Sequence, residues 1–82
     1  MAADSIIVNV FRENLRRYRK LSGLTQVDMA ARLGITQGGY SSLERGDFVP
    51  TIVTVAKVAE SLGIQPFALL TPAGKKFTGA AS

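Results

Sequence analysis

The sequence predicts a small all-α domain built of five short helices. Its 82 residues are enough for one domain, and four glycines divide the chain into short segments: Gly23, Gly34, Gly46 and Gly63. Apolar residues recur within these segments at helical rather than alternating spacing. We expect residues 9–70 to form the domain, residues 1–8 an N-terminal arm and residues 71–82 a flexible C-terminal tail.

The first helix is predicted between Asn9, which is a good N-cap, and Gly23, which stops it. Three side chains at helical spacing face the core: Phe11, Leu15 and Tyr18. The other faces carry basic residues, for which a solvent-exposed surface is the favoured interpretation: Arg12, Arg16, Arg17 and Lys20.

Two short helices follow, joined by a glycine turn. Thr25 caps the second helix, with Asp28 at its third position, and Gly34 ends it. Thr36 caps the third helix, residues 37–45, which ends at Gly46. The inward positions of this pair are Met29, Ala30, Leu33, Ile35, Tyr40 and Leu43. A buried Tyr40 needs a hydrogen-bond partner for its hydroxyl unless that group reaches the surface.

The fourth segment, residues 51–62, begins with an apolar run that also has strand propensity. The spacing of its apolar residues predicts a helix instead, because they recur at helical spacing: Val55, Val58, Ala59 and Leu62. Gly63 supplies a stop. Pro66 begins a last helical turn. Three apolar residues of that turn should fold back on the bundle: Phe67, Leu69 and Leu70.

The composition argues against catalysis. Without Cys or His the chain lacks a thiolate nucleophile, the usual general base and the commonest metal ligands. The six carboxylates are scattered, so we expect no enzyme activity, no cofactor and no metal ion. The longest charge-free apolar run, residues 48–56, is too short to cross a membrane, and the start lacks a secretion signal. We therefore expect a cytoplasmic protein, and its net charge of +4 suits an anionic partner.

The helix, glycine turn and helix of residues 26–45 resemble the motif of the lambda-repressor-like helix-turn-helix proteins of the Cro and repressor type, the XRE family. The resemblance extends to the first helix, to Leu43-Glu44-Arg45-Gly46 and to the fourth helix, and covers residues 11–70. It implies a recognition helix, residues 37–45, that lies in the major groove of double-stranded DNA.

The resemblance also implies the site residues. Base contacts are expected from Gln37, Gly38, Ser41 and Ser42, and phosphate contacts from Gln26, Thr36 and Arg45. Gln26 should also brace Gln37, and Arg19 should pair with Glu44 to lock the first helix to the recognition helix. The adjacent Gly38 and Gly39 depart from the family pattern, so direct readout should be sparse.

Two functional hypotheses follow. The first is a sequence-specific, repressor-like transcriptional regulator that binds a palindromic operator as a homodimer and associates with the nucleoid, with half-sites roughly 34 Å apart. The alternative is an adaptor or antitoxin that uses the same fold to bind a protein partner, with DNA binding secondary. Phe48, Ile52 and Val53 are candidates for that surface or for the homodimer interface.

Overall fold

The structure is a computed structural model that describes residues 5–73. These residues form five helices and no strand, which confirms the all-α prediction. The helices are α1 (Ile6–Leu21), α2 (Gln26–Leu33), α3 (Gln37–Arg45), α4 (Ile52–Leu62) and α5 (Pro66–Leu69). None of the helices within this part of the chain is long and apolar enough to cross a membrane.

Helix α1 begins earlier than the sequence predicted. Its N-cap is Ser5 rather than Asn9, and the Ser5 hydroxyl accepts a hydrogen bond from the backbone of Val8. Both residue types are good caps, but only the earlier start places Val8 on the helix, where it is buried. Asn9 instead lies inside α1 and accepts a hydrogen bond from Arg12. Residues 6–8 therefore belong to the helix, while residues 1–4 of the expected arm lie outside the described residues.

The caps and stops of α2 and α3 are confirmed. The Thr25 hydroxyl accepts from the Asp28 backbone at 3.0 Å, and the Asp28 carboxylate accepts from the Thr25 backbone at 2.8 Å. This backbone hydrogen bond from Thr25, with the hydroxyl contact beside it, lowers the pKa of Asp28 below its ordinary value. Gly34 ends α2 with φ at +70°, a left-handed conformation that favours glycine.

The core lies where the first four helices and the last turn meet. Its buried members are Phe11, Leu15, Met29, Ala30, Tyr40, Leu43, Val58, Ala59 and Leu69. Three predicted core residues are exposed instead: Ile35 at 44%, Phe67 at 51% and Leu70 at 38%. Ile35 follows the left-handed Gly34 and leaves the axis of α2, so its side chain stays at the surface. Helix α5 is a single turn, and it buries Leu69 alone among its apolar side chains.

Asn14 is a buried polar residue that ties α1 to the end of α5. Its side-chain amide donates to the carbonyls of Leu69 and Thr71, both at 2.8 Å, and more distantly to that of Ala68. The carbonyls of Ala68 and Leu69 lie in the last turn of α5, where carbonyl groups have no partner within the helix. Thr71 is therefore fixed to the domain although the sequence placed it in the tail. The rest of the predicted tail, residues 74–82, lies outside the described residues.

Candidate nucleic-acid interface

Helix α3 presents its first turn to solvent while its inner face is buried. The Thr36 hydroxyl caps α3 by accepting from the backbone of Gly39 at 3.0 Å. Gln37 and Gly38 are exposed, and Ser41 and Ser42 are half-buried farther along the helix. Tyr40 and Leu43, on the opposite side, belong to the core. The structure therefore brings the four predicted base-contacting residues to the outer side of one short helix.

A single buried carboxylate, that of Glu44, joins α3 to α1 and α2. Only 2% of Glu44 is exposed. Arg19 donates to it from Nε and Nη2 at 2.5 and 3.2 Å, and the remaining Arg19 donor Nη1 reaches the carbonyl of Leu24. Gln26 donates to Glu44 from Nε2 at 3.1 Å. The predicted ion pair of Arg19 and Glu44 is thus present, as one part of a larger network.

The Tyr40 hydroxyl is the other donor in this network. It lies 2.5 Å from Glu44 Oε2, which provides the partner that the sequence required for a buried tyrosine. Burial raises the pKa of Tyr40, and the hydrogen bond to Glu44 raises it further, so the phenol stays protonated. Tyr40 and Glu44 are four residues apart and therefore lie on the same face of α3.

The network keeps Glu44 ionised. Burial by itself would raise the pKa of Glu44, but hydrogen bonds from Arg19 and Tyr40 outweigh burial and lower it below its ordinary value. The hydrogen bond to Glu44 in turn raises the pKa of Arg19. The result is a charged pair whose carboxylate oxygens are surrounded by donors.

Gln26 braces the recognition helix through Ser41. The sequence predicts Gln37 as the partner instead. The Ser41 hydroxyl donates to Gln26 Oε1 at 2.7 Å. Gln26 Nε2 is held by Glu44, and Ser41 lies between Gln37 and Glu44 along α3, so the amide oxygen reaches Ser41. Gln26 has a second amide hydrogen that no described residue engages.

Arg45, a predicted phosphate contact, lies at the end of α3 and is paired within the chain. Its guanidinium donates to Asp47 from Nε and Nη2 at 3.0 and 2.9 Å, and Nη2 also donates to the Ser42 hydroxyl at 3.0 Å. Both charged side chains are about half exposed. An exposed ion pair contributes little stability, so Arg45 can leave Asp47 at small cost.

Helix α1 turns a row of three arginines toward α3, of which the sequence predicts only Arg19 at this position. Arg12 lies against Gly46: a Cβ added to this glycine would stand 2.6 Å from Arg12 Cδ. Arg16 Nε is 3.9 Å from Glu44 Oε1, at the edge of the Glu44 network, and about half of the Arg16 side chain is exposed. Their spacing of four and three residues is the signal that places these arginines on one face of a helix.

The capped α2, the glycine turn and the half-exposed α3 define a helix-turn-helix protein. Residues 15–69 match the helix-turn-helix family HTH_3, and the chain belongs to this family of transcriptional regulators. An uncharacterized HTH-type transcriptional regulator from Sinorhizobium fredii, y4dJ, is 44% identical over 59 residues, which are 72% of this chain and 77% of that protein.

Two solved structures of different proteins contain the same fold. The restriction-modification controller protein C.AhdI from Aeromonas hydrophila aligns with a TM-score of 0.70 and 31% identity, over 76% of this chain and 94% of its own. HppE, solved with FeII and substrate, aligns with a TM-score of 0.72 and 26% identity, but only 41% of its chain is covered. Within residues 5–73 of the present chain, no group of three His, Cys, Asp or Glu side chains could hold a metal ion.

Proposed function

We propose that the chain is a sequence-specific, repressor-like regulator that binds a palindromic operator in double-stranded DNA as a homodimer. The observation that carries the proposal is the position of α3: its inner face is locked to α1 and α2 through Glu44, and its first turn is exposed. A helix held rigidly with a polar first turn outward is the form that enters a major groove. Such a regulator would be cytoplasmic and associated with the nucleoid.

Base reading is assigned to the outer side of α3. The exposed amide of Gln37 can pair with adenine N6 and N7 at once, which makes it the first candidate for a specific contact. Gly38 is exposed with open space where a side chain would stand, so the helix backbone can come close to the base edges at this point. Ser41 and Ser42 complete the reading face.

Phosphate binding is assigned to three residues: Gln26 at the start of α2, Thr36 at the cap of α3 and Arg45 at the end of α3. The second amide hydrogen of Gln26 and the hydroxyl hydrogen of Thr36 are both able to reach a phosphate oxygen while their present hydrogen bonds remain. Arg45 contributes a full charge once it exchanges Asp47 for the DNA backbone. These contacts fix the register of the helix and carry no base preference.

Dimerisation is assigned to an exposed apolar face at the start of α4. Ile52 and Val53 are 88% and 61% exposed, and Ile52 borders an apolar groove formed with Ile7, Val49 and Leu70. A second shallow depression places Lys57 and Glu60 beside Ile52 and Val53. A two-fold interface brings each patch against its own copy, so a patch that carries both charge signs is complementary to itself.

Selection of bound duplexes from a random pool tests the DNA-binding proposal. Enrichment of an inverted repeat with centres roughly 34 Å apart would support a dimeric regulator. Gln37→Ala should weaken binding to that repeat by about 1–3 kcal/mol and relax one base preference, while Gln65→Ala, the matched exposed control, should change neither. Equal loss on the repeat and on random DNA for Gln37→Ala would refute base reading.

Arg45 provides the contrasting phosphate test. Arg45→Ala should weaken binding to all sequences alike and lower the slope of binding against salt by about one, because one phosphate contact is lost. Arg32→Ala removes another exposed cation, on α2, and should leave the slope unchanged. An unchanged slope for Arg45→Ala would remove this residue from the phosphate contacts.

The exposed apolar face also favours the second candidate function, an adaptor or antitoxin that binds a protein partner. Sedimentation equilibrium separates the two candidates. The homodimer proposal expects a dimer that Ile52→Glu converts to monomer and that Leu21→Glu, an equally apolar exposed site at the end of α1, leaves intact. A wild-type protein that stays monomeric and binds DNA without sequence preference would favour the adaptor. We propose no catalytic role.

A further inference from the structure

The hydroxyl group of Ser41 has its single hydrogen committed inside the protein. Ser41 Oγ donates to Gln26 Oε1 at 2.7 Å, and the side chain is half-buried between α2 and α3. A serine hydroxyl has one hydrogen to donate and two lone pairs that accept. With that hydrogen engaged, Ser41 presents only acceptor capacity to anything that approaches α3 from outside.

The direction of this hydrogen bond is set by Glu44. Gln26 Nε2 lies 3.1 Å from Glu44 Oε1, so the amide group must direct its NH₂ toward the carboxylate and its oxygen toward Ser41. The reversed amide would place two oxygens in contact, one of them on an ionised group that Arg19 holds in its charged form. The two hydrogen bonds therefore have only one possible direction: Ser41 donates to Gln26, and Gln26 donates to Glu44.

We propose that Ser41 recognises the exocyclic amino group of an adenine or a cytosine, as a hydrogen-bond acceptor. In the major groove only adenine N6 and cytosine N4 offer a hydrogen, while thymine O4 and guanine O6 and N7 accept. Phosphate oxygens also accept only, so Ser41 is not a phosphate contact while its bond to Gln26 remains. The inference rests on the proposed DNA binding and adds to it the chemical class of one base in each half-site.

Ser42 is the matched control because its hydroxyl accepts a hydrogen bond within the protein, whereas the Ser41 hydroxyl donates one. Its hydroxyl accepts a hydrogen bond from Arg45 Nη2 at 3.0 Å, and no described residue engages its own hydrogen. Ser42 can therefore donate to guanine or thymine, which Ser41 cannot. The two residues have the same side chain and are both half-buried, but they lie about 100° apart around α3 and each has a different partner inside the protein.

The test uses the inverted repeat obtained from the random pool, with single amino groups deleted. Each adenine is replaced in turn by purine deoxynucleoside, and each cytosine by 2-pyrimidinone deoxynucleoside. Dissociation constants are then measured by fluorescence anisotropy for the wild type, Ser41→Ala and Ser42→Ala, after circular dichroism confirms that each is folded. At one position in each half-site, the wild type and Ser42→Ala should lose about tenfold in affinity and Ser41→Ala no more than about twofold.

A second variant tests the direction of the hydrogen-bond chain. Gln26→Leu removes the acceptor of the Ser41 hydrogen, so the hydroxyl can donate as well as accept, and the base preference at the same position should broaden to include guanine or thymine. A structural role for Gln26 alone would weaken binding without moving that preference.

Three outcomes overturn the inference. The first is an equal effect of every amino deletion on the wild type and on Ser41→Ala. The second is an unchanged preference in Gln26→Leu. The third is loss of the Ser41→Ala effect when one phosphate is replaced by methylphosphonate, which would make Ser41 a phosphate contact. Failure to enrich any sequence from the pool would instead refute the proposed function itself.

Discussion

Replacement of Glu44 by glutamine should destabilise the fold by about 3–5 kcal/mol, the usual cost of leaving a buried charge unpaired. Four hydrogen bonds converge on the Glu44 carboxylate, two from Arg19 and one each from Tyr40 and Gln26. The glutamine carbonyl has two lone pairs, so no more than two of these bonds can survive. Its NH₂ group then faces a donor, and Arg19, which is only 8% exposed, keeps a charge without a counter-ion.

Urea unfolding followed by circular dichroism measures this cost directly. A domain of this length has a total stability of about 4–12 kcal/mol, so this loss is a large fraction of it. In a thermal melt, the same loss should lower the unfolding midpoint by about 12 °C or more. Glu13→Gln, at an exposed position of α1, is the matched control and should shift the unfolding free energy by less than about 0.5 kcal/mol. A loss below about 1 kcal/mol for Glu44→Gln would refute the view that this charge holds α3 in place.

The same carboxylate makes stability depend on acid. Because the folded pKa of Glu44 lies below its ordinary value of 4.5, the unfolded chain binds more protons in that range. The stabilisation is complete above about pH 4.5 and is lost as the pH falls through the folded pKa. Glu44→Gln should therefore flatten the acid side of the stability profile. Asp28, whose pKa is also lowered, acts in the same direction and leaves a residual slope.

Three further variants test separate contacts of the fold. Tyr40→Phe should cost about 1.5–3 kcal/mol in urea unfolding, because it removes one hydrogen bond to a charged group; no change would show that the bond is dispensable. Gly46→Ala should cost more than the roughly 1–2 kcal/mol expected for Gly34→Ala, since both positions have positive φ but only Gly46 meets another side chain, that of Arg12. Adding Arg12→Ala should remove the difference, and equal costs for the two glycines would contradict the contact. Asn14→Ala should speed hydrogen exchange of the Leu70 amide at the end of α5, and unchanged exchange there would show that Asn14 does not hold this turn.

The features that the sequence predicted well are those decided by neighbouring residues. Thr25 and Thr36 cap two helices as expected, and three helices end as expected with positive φ, at Gly34, Gly46 and Gly63. Each of these signals needs only a short stretch of chain, because a cap satisfies backbone groups within one turn and a left-handed stop needs a residue without Cβ. The boundaries of α2, α3 and α4 follow from these local rules.

Features that depend on distant parts of the chain could not be predicted in this way. The sequence predicts Asn9 as the cap of α1, whereas the structure uses Ser5, which is an equally good cap and differs in that it places the buried Val8 on the helix. Asn14 gave no signal because its partners lie 54–57 residues away. The family resemblance predicts that Gln26 braces Gln37, whereas its actual partner, Ser41, is determined by the position of Glu44 in three dimensions.

The Glu44 network couples the stability of the domain to the chemistry of its reading face. Arg19 lies on α1, away from the outer side of α3, yet it keeps charged the carboxylate that orients Gln26 and, through it, Ser41. Arg19→Met should therefore do more than destabilise the fold: it frees Glu44 to take a proton, which removes the requirement on the Gln26 amide. The base preference at the Ser41 position should then broaden at low pH in this variant, while in the wild type it should stay unchanged as long as the protein remains folded. A preference that stays constant with pH in folded Arg19→Met would separate the fold from the reading face and leave the amide orientation to other contacts.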